Sequence, residues 1–184
     1  MTSPLDALVG PGKPLKREPP DAREIANFLR SASVHLRDAA NADLSLDGRF
    51  LLAYNAAHAL CLAALRYRGY RASSRFIVFQ AVPHTLGLGP EVWRVLAKAH
   101  EVRNVSEYEG ESRVEMRLVA DLLDATRTVR RQLKSCRRFA DPVQPGYAAT
   151  GSFDCTVRSS RRRILPIGVF GSGSLRNSTT RGTL

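Results

Sequence analysis

Arg103, Asn104 and Tyr108, in the stretch EVRNVSEYEG (101–110), are the densest group of chemically capable side chains near a helix end, with His100 about one turn before Arg103. An arginine can hold a phosphate through two parallel hydrogen bonds. An asparagine can orient a backbone or a base edge, and a tyrosine can stack on a base or donate its hydroxyl. Together they would make half of a composite polar site on a helical bundle. The same letters also describe a helix running out into its C-cap, where an arginine is favoured by the helix dipole. Glu107, Glu109 and Glu111 add negative charge that repels a polyanion. On spacing alone the C-cap is the better description.

Little else in the chain offers chemistry. The four histidines are His35, His58, His84 and His100. None forms HExxH, no Ser-His-Asp grouping is legible, and GxxxxGK[ST] does not occur. GLG at 87–89 reads as a breaker between helices. His58 lies four residues after Tyr54, on the same helical face, and reads as a satisfied, partly buried histidine. His35 sits beside an apolar stripe and reads as structural; His84 follows Pro83 in a turn. Cys61, Cys136 and Cys155 are an odd number without CxxC, so neither a disulfide framework nor a zinc site is expected, and Cys61 reads as a small core residue. No cofactor is expected.

These residues must be positioned by helices. Asp21 can cap a first helix over about 21–41, with Glu24 answering from the N3 position. Ile25, Phe28, Leu29, Ala32, Leu36 and Ala39 form its apolar stripe. Ser45 opens a second helix in which Phe50, Leu51, Tyr54, Ala57, Cys61, Leu62 and Leu65 repeat the pattern as far as Gly69, a C′ glycine. The stretch 73–86 contains FIVF, with strand propensity, but no partner strand is legible, so it reads as a short helix. Pro90 starts a further helix carrying Val92, Trp93, Leu96, Ala99 and Val102. Ser112 and Glu115 form a capping box for a last helix to about 134, with Leu118, Val119, Leu122, Leu123, Val129 and Leu133 inward. The expected class is all-α: an antiparallel bundle of about four to five helices over 21–135, after an extended lead-in at 1–20.

Charge marks a boundary at the end of that bundle. Of the net +11, residues 1–135 supply +5 (20 Lys+Arg against 15 Asp+Glu) and residues 136–184 supply +6 (8 Arg against 2 Asp). The latter segment has no Lys and no Glu and is rich in Gly, Ser and Thr, so it reads as a disordered basic tail. A tail of this kind binds polyanions weakly and without sequence preference. No long apolar run and no signal-peptide core are legible, so a cytoplasmic protein with no membrane association is expected.

The order of AYNAAHALCLAALRYRGYR in one helix, then FQAVPHTLGL, then a helix ending in RNVSEYEG, resembles the HEPN superfamily of prokaryotic toxin–antitoxin and defence proteins. The opening GKPLKREPPDAREI is similar to one bacterial subgroup of it. The resemblance covers about residues 10–134. It implies an antiparallel bundle that forms a homodimer and brings a polar motif from each protomer together. In active members an arginine, the polar residue after it and a histidine four to six positions later cleave RNA without a metal, by attack of the ribose 2′-hydroxyl on the adjacent phosphate. Arg103 and Asn104 match the first two. Tyr108 stands at the histidine position, and its hydroxyl, with an ordinary pKa near ~10, is a poor general base beside an imidazole near ~6.5. The implied role is therefore RNA or nucleotide binding, or regulation of a cognate partner such as a nucleotidyltransferase-type antitoxin, without efficient catalysis. The alternatives are a ribonuclease using Arg103 with Tyr108 or His100, and a structural dimerisation module in which Arg103 pairs with a nearby glutamate.

Overall fold

The computed structural model describes residues 3–109 and 114–135, with side chains for all of these except 108 and 109. The described residues are mostly helical. A 3-10 helix (Pro4–Leu8) and a short strand β1 (Leu15–Arg17) precede α1 (Ala22–Ala39) and α2 (Leu46–Tyr67). Strand β2 (Tyr70–Ala72), α3 (Arg75–Gln80), α4 (Val82–Leu86), α5 (Pro90–Glu109) and α6 (Met116–Ser135) follow.

The local signals account for most of these bounds. Asp21 accepts from the backbone N–H groups of Arg23 and Glu24, and Ser45 from that of Gly48, so both helices start on the expected cap. Gly69 follows α2 with φ +79°, a conformation that costs a side chain about 1 kcal/mol. Gly69→Ala is accordingly expected to lower stability by about 1 kcal/mol, read as a shift of the urea midpoint at constant slope.

α2 is the centre of the core. It is apolar nearly all round, with Ala53, Ala56, Ala57, Ala63 and Ala64 buried among the larger Leu60 and Leu65. A helix apolar on every face must be covered on every face. α1 packs along α2 through the short connection 40–45, α6 covers another side, and α5 packs on α6. The alanines let these neighbours come close. α2 is also long and apolar enough to cross a membrane by length and composition, though most of its surface is covered within this fold. The apolar positions expected of α1, α5 and α6 are buried or partly buried, whereas Leu51 of α2 points out and is 46% exposed.

Three expectations are corrected. The fold is not purely helical: β1 pairs antiparallel with β2, Leu15 facing Ala72 and Arg17 facing Tyr70. Residues 1–20 are accordingly not a plain extended lead-in where they are described, because Leu5 and Leu15 are fully buried in the common core. The capping box at Asp21 is half made. The Glu24 carboxylate turns instead to Arg66 Nε (2.8 Å) and Arg71 Nη2 (2.9 Å), whose charged donors outcompete a neutral backbone N–H.

The stretch 73–86 is helical as expected, but in two pieces, α3 and α4. Pro83 lacks the N–H that would bond to Phe79, so one helix cannot run through it. Ser112, and with it the second capping box, lies outside the described residues, as does the segment 136–184.

Candidate functional site

α5 projects His100, Arg103 and Asn104 toward the middle of α2 and the start of α3. The periodicity of α5 puts His100 and Asn104 one turn apart on the same face. Asn104 Nδ2 lies 3.2 Å from His100 Nε2, and His100 Nδ1 lies 2.8 Å from the hydroxyl of Tyr54. With the amide NH2 donating to Nε2, the neutral ring carries its proton on Nδ1 and donates it to the Tyr54 oxygen. Both imidazole nitrogens are thus engaged by the protein itself.

Aromatic rings and guanidinium groups enclose this chain of bonds. The His100 ring stacks on Phe76 at 5.7 Å and meets Phe79 edge-on at 6.1 Å. His58 contacts Phe79 from the α2 side, at 5.8 Å. The fully buried Tyr54 ring has the Arg103 guanidinium 5.6 Å and the Arg75 guanidinium 5.8 Å from its centroid. Cations at that distance are attracted by the ring quadrupole. Arg75 also donates to Asn55 Oδ1 at 3.4 Å, a long bond.

These surroundings fix the charge state. Burial, then Arg103 and Arg75, lower the His100 pKa below its ordinary value. Burial, followed by Arg75, His100 and Arg103, brings that of His58 down to about 4. Burial raises the Tyr54 hydroxyl, and the two arginines oppose that rise only in part. At neutral pH the cluster therefore holds two neutral imidazoles and a neutral phenol, with its positive charge on Arg75 and Arg103. Such a set can hold an anion and present hydrogen bonds. Neither nitrogen of His100 is left free to take a proton.

Arg103 is only 20% exposed and ion-pairs with Glu107 one turn later, while its Nε is buried without a hydrogen-bond partner. Its Nη1 approaches Asn104 Oδ1 at 3.5 Å. Beside the cluster an open groove of about 610 Å³ is lined by Phe76, Trp93, Arg94, Ala97, Lys98, His100, Glu101 and Asn104, with Lys98 paired to Glu101 at 3.2 Å. Phe76 is 42% exposed, a large apolar side chain at the lip of a polar site.

The structure thus brings Arg103, Asn104 and His100 together. Tyr108 belongs to α5, but its side chain lies outside the described residues. Tyr54, Arg75, Phe76 and Phe79 join them without having been expected there. The four-residue spacing of Tyr54 and His58 signals their common face; Arg75 and Phe76 carry no comparable signal, since they arrive through the α2–α3 connection. His35 has a buried Nδ1 without a partner, and His84 is exposed on α4. Cys61 is fully buried, its thiol pKa pushed up by burial, as a core residue requires. Among the described residues no group of His, Cys, Asp and Glu has the makings of a metal site. Comparison with protein-family models, with curated proteins and with solved structures finds no match for this chain.

Proposed function

We propose that this chain is a HEPN-like helical protein that binds RNA or a nucleotide beside Arg103 and works without efficient catalysis. The observation that carries this reading is the engagement of both His100 nitrogens, one by Tyr54 and the other by Asn104. The nearest imidazole to Arg103 is thereby tied into the protein, and Tyr108 has the wrong ordinary pKa to replace it as a base. What remains is recognition chemistry. Arg103 would trade Glu107, which is 47% exposed, for a phosphate, exchanging one anionic partner for another. Exposed Phe76 and the neighbouring Trp93 offer faces for a base, and Arg94 flanks them with charge, while Lys98 would have to leave Glu101 to join it. The homodimer and the toxin–antitoxin or defence context, with a nucleotidyltransferase-type partner, belong to the same proposal and rest on the sequence resemblance.

A second reading has an observation of its own. The Arg103–Glu107 ion pair is the contact that a purely structural dimerisation module would use. One experiment separates the readings: the full chain and Arg103→Ala are incubated with a mixed pool of labelled RNA in EDTA, with binding, end chemistry and thermal stability recorded. The expected result is no Arg103-dependent cleavage, with binding weakened about 10- to 100-fold at unchanged fold, since a hydrogen bond to a charged group contributes about 1.5–3 kcal/mol. Arg103-dependent products ending in 2′,3′-cyclic phosphate would establish a ribonuclease instead. Unchanged binding with a lower Tm would leave the structural module.

A further inference from the structure

A second polar groove, of about 780 Å³, runs between α1 and the C-terminal half of α6 and shares no lining residue with the Arg103 cluster or its groove. Its charge comes from Arg37 of α1 and from Arg127, Arg130, Arg131 and Lys134 of α6, against the single carboxylate of Asp124. The α6 positions fall at intervals of three, one and three, so they occupy one face of the helix. The adjoining face, with Thr126, Val129 and Leu133, is buried. Over the seven residues from 127 to 134 the helix rises about 10 Å, and the cations form a row of that length.

The pairing of these cations is incomplete. Arg127 is held by Asp124 at 2.8 Å and Arg37 by its neighbour Asp38 at 3.0 Å, both at the surface. Arg131 donates to the Thr128 hydroxyl at 3.0 Å, a neutral partner. Among the described residues Arg130 and Lys134 have no carboxylate partner. A row of like charges on one helical face repels itself, which is a cost to the fold. An anionic ligand would remove it.

The composition of the groove indicates which anion. Four of the five cations are arginines, whose planar fork suits phosphate and carboxylate alike. The only apolar side chain in the lining is Leu36, so a protein partner would find no pocket for an anchoring side chain, and interfaces between proteins depend on such anchors. There is no aromatic ring to stack a base. A repeating anion that needs neither is a sugar–phosphate backbone, which a row of guanidinium groups neutralises whatever the sequence.

We propose that the α1–α6 groove is a sequence-independent binding site for the sugar–phosphate backbone of a nucleic acid, for which single-stranded RNA serves as the probe. The test uses the full chain, so that the Arg-rich segment 136–184 is present in every sample, and follows binding of a labelled single-stranded RNA by fluorescence anisotropy across a salt titration. Arg130→Gln/Lys134→Gln takes two charges from the groove. Lys16→Gln/Arg23→Gln takes two exposed charges from β1 and α1 elsewhere. Each phosphate neutralised on a single strand contributes about 0.7 to the slope of log K against log salt. The groove variant is expected to lose about 1.4 in slope and at least about tenfold in affinity at low salt, with Tm unchanged or slightly raised as the repulsion is relieved, while the control variant keeps its slope and affinity.

Equal losses in the two variants would reduce the effect to net charge, and unchanged binding in the groove variant would show that the groove holds no RNA; either overturns the proposal. A polyglutamate peptide that binds the groove as tightly as the RNA would overturn it in favour of an acidic protein partner. Arg103→Ala in the same series keeps the two sites apart. If it loses binding while the groove variant does not, the groove proposal fails and the Arg103 reading stands. The reverse pattern supports the groove alone.

Discussion

Arg66→Ala is expected to be the most destabilising single substitution outside the apolar core, at about 3–5 kcal/mol, because three backbone carbonyls lose a charged donor and a buried side chain is emptied at once. Arg66 is 1% exposed and lies near the end of α2. Its five N–H groups meet five acceptors. Nε donates to Glu24 (2.8 Å), Nη2 to Glu18 (3.1 Å) and to the Pro19 carbonyl (3.0 Å), and Nη1 to the carbonyls of Glu18 (3.3 Å) and Tyr70 (3.5 Å). Arg71 closes the arrangement from the solvent side, reaching both Glu18 and Glu24. One guanidinium therefore joins the segment before α1, α1 itself, α2 and the start of β2.

Truncation would take this donor from three backbone carbonyls, while the two carboxylates keep Arg71. For that reason Arg66→Met, which restores volume but not donors, is expected to recover only part of the loss. Arg71→Ala should cost much less, because Arg71 is 44% exposed at its side chain and water replaces it. Urea unfolding of the three variants checks this order. A loss below about 1 kcal/mol for Arg66→Ala would mean that the network is spectator to the fold, given a typical total stability of about 5–15 kcal/mol.

That network also shows where the sequence is silent. The stripes of α1, α5 and α6 were legible because each helix buries one side, and burial of one side writes a period of three and four into the letters. Asp21, Ser45 and Pro90 marked helix starts because a cap is a local device. Arg66 was not legible: within an alanine-rich run a single arginine looks like a surface residue, and its partners Glu18 and Glu24 stand more than forty positions earlier. The β1–β2 pair failed in the same way. Strands of three residues have no period to read, and their register is set by Gly69 turning the chain back toward residue 18, where Glu18 N–H bonds to the Gly69 carbonyl at 3.0 Å.

The candidate site divides along the same line. Arg103, Asn104 and His100 are neighbours on one helix and could be picked from the sequence. Tyr54, Arg75 and Phe76 come from elements whose placement depends on how α3 folds back over α2, and no local pattern specifies that. The ion pair of Arg103 with Glu107 is an i,i+4 contact and was anticipated among the alternatives; the bonding of both His100 nitrogens was not.

The same enclosed imidazoles make stability depend on pH in a definite window. His58 has its pKa lowered to about 4, burial being the largest cause and the charges of Arg75, His100 and Arg103 adding to it. In the unfolded chain it returns to about 6.5. A histidine depressed on folding stabilises the protein fully above the unfolded value, because both states are then neutral. As pH falls below about 6.5 the unfolded state takes up a proton that the folded state refuses, so stability drops until the folded value near 4 is reached. Allowing for the part of the ring that water still reaches, the loss from pH 7 to pH 4.5 should be roughly 2 kcal/mol. His100, also lowered, shifts the balance in the same direction. The carboxylates of Asp6, Glu18 and Asp21 are held below their ordinary values by their donors, so their contribution is lost mainly at lower pH, as they protonate. His58→Gln keeps a polar group against Phe79 but cannot titrate. Urea unfolding at a series of pH values should give the variant a visibly flatter decline between pH 6.5 and 4.5 than the parent, even where its stability at pH 7 is lower. Parallel declines would place the proton uptake on another group and overturn the assignment of the pH dependence to His58.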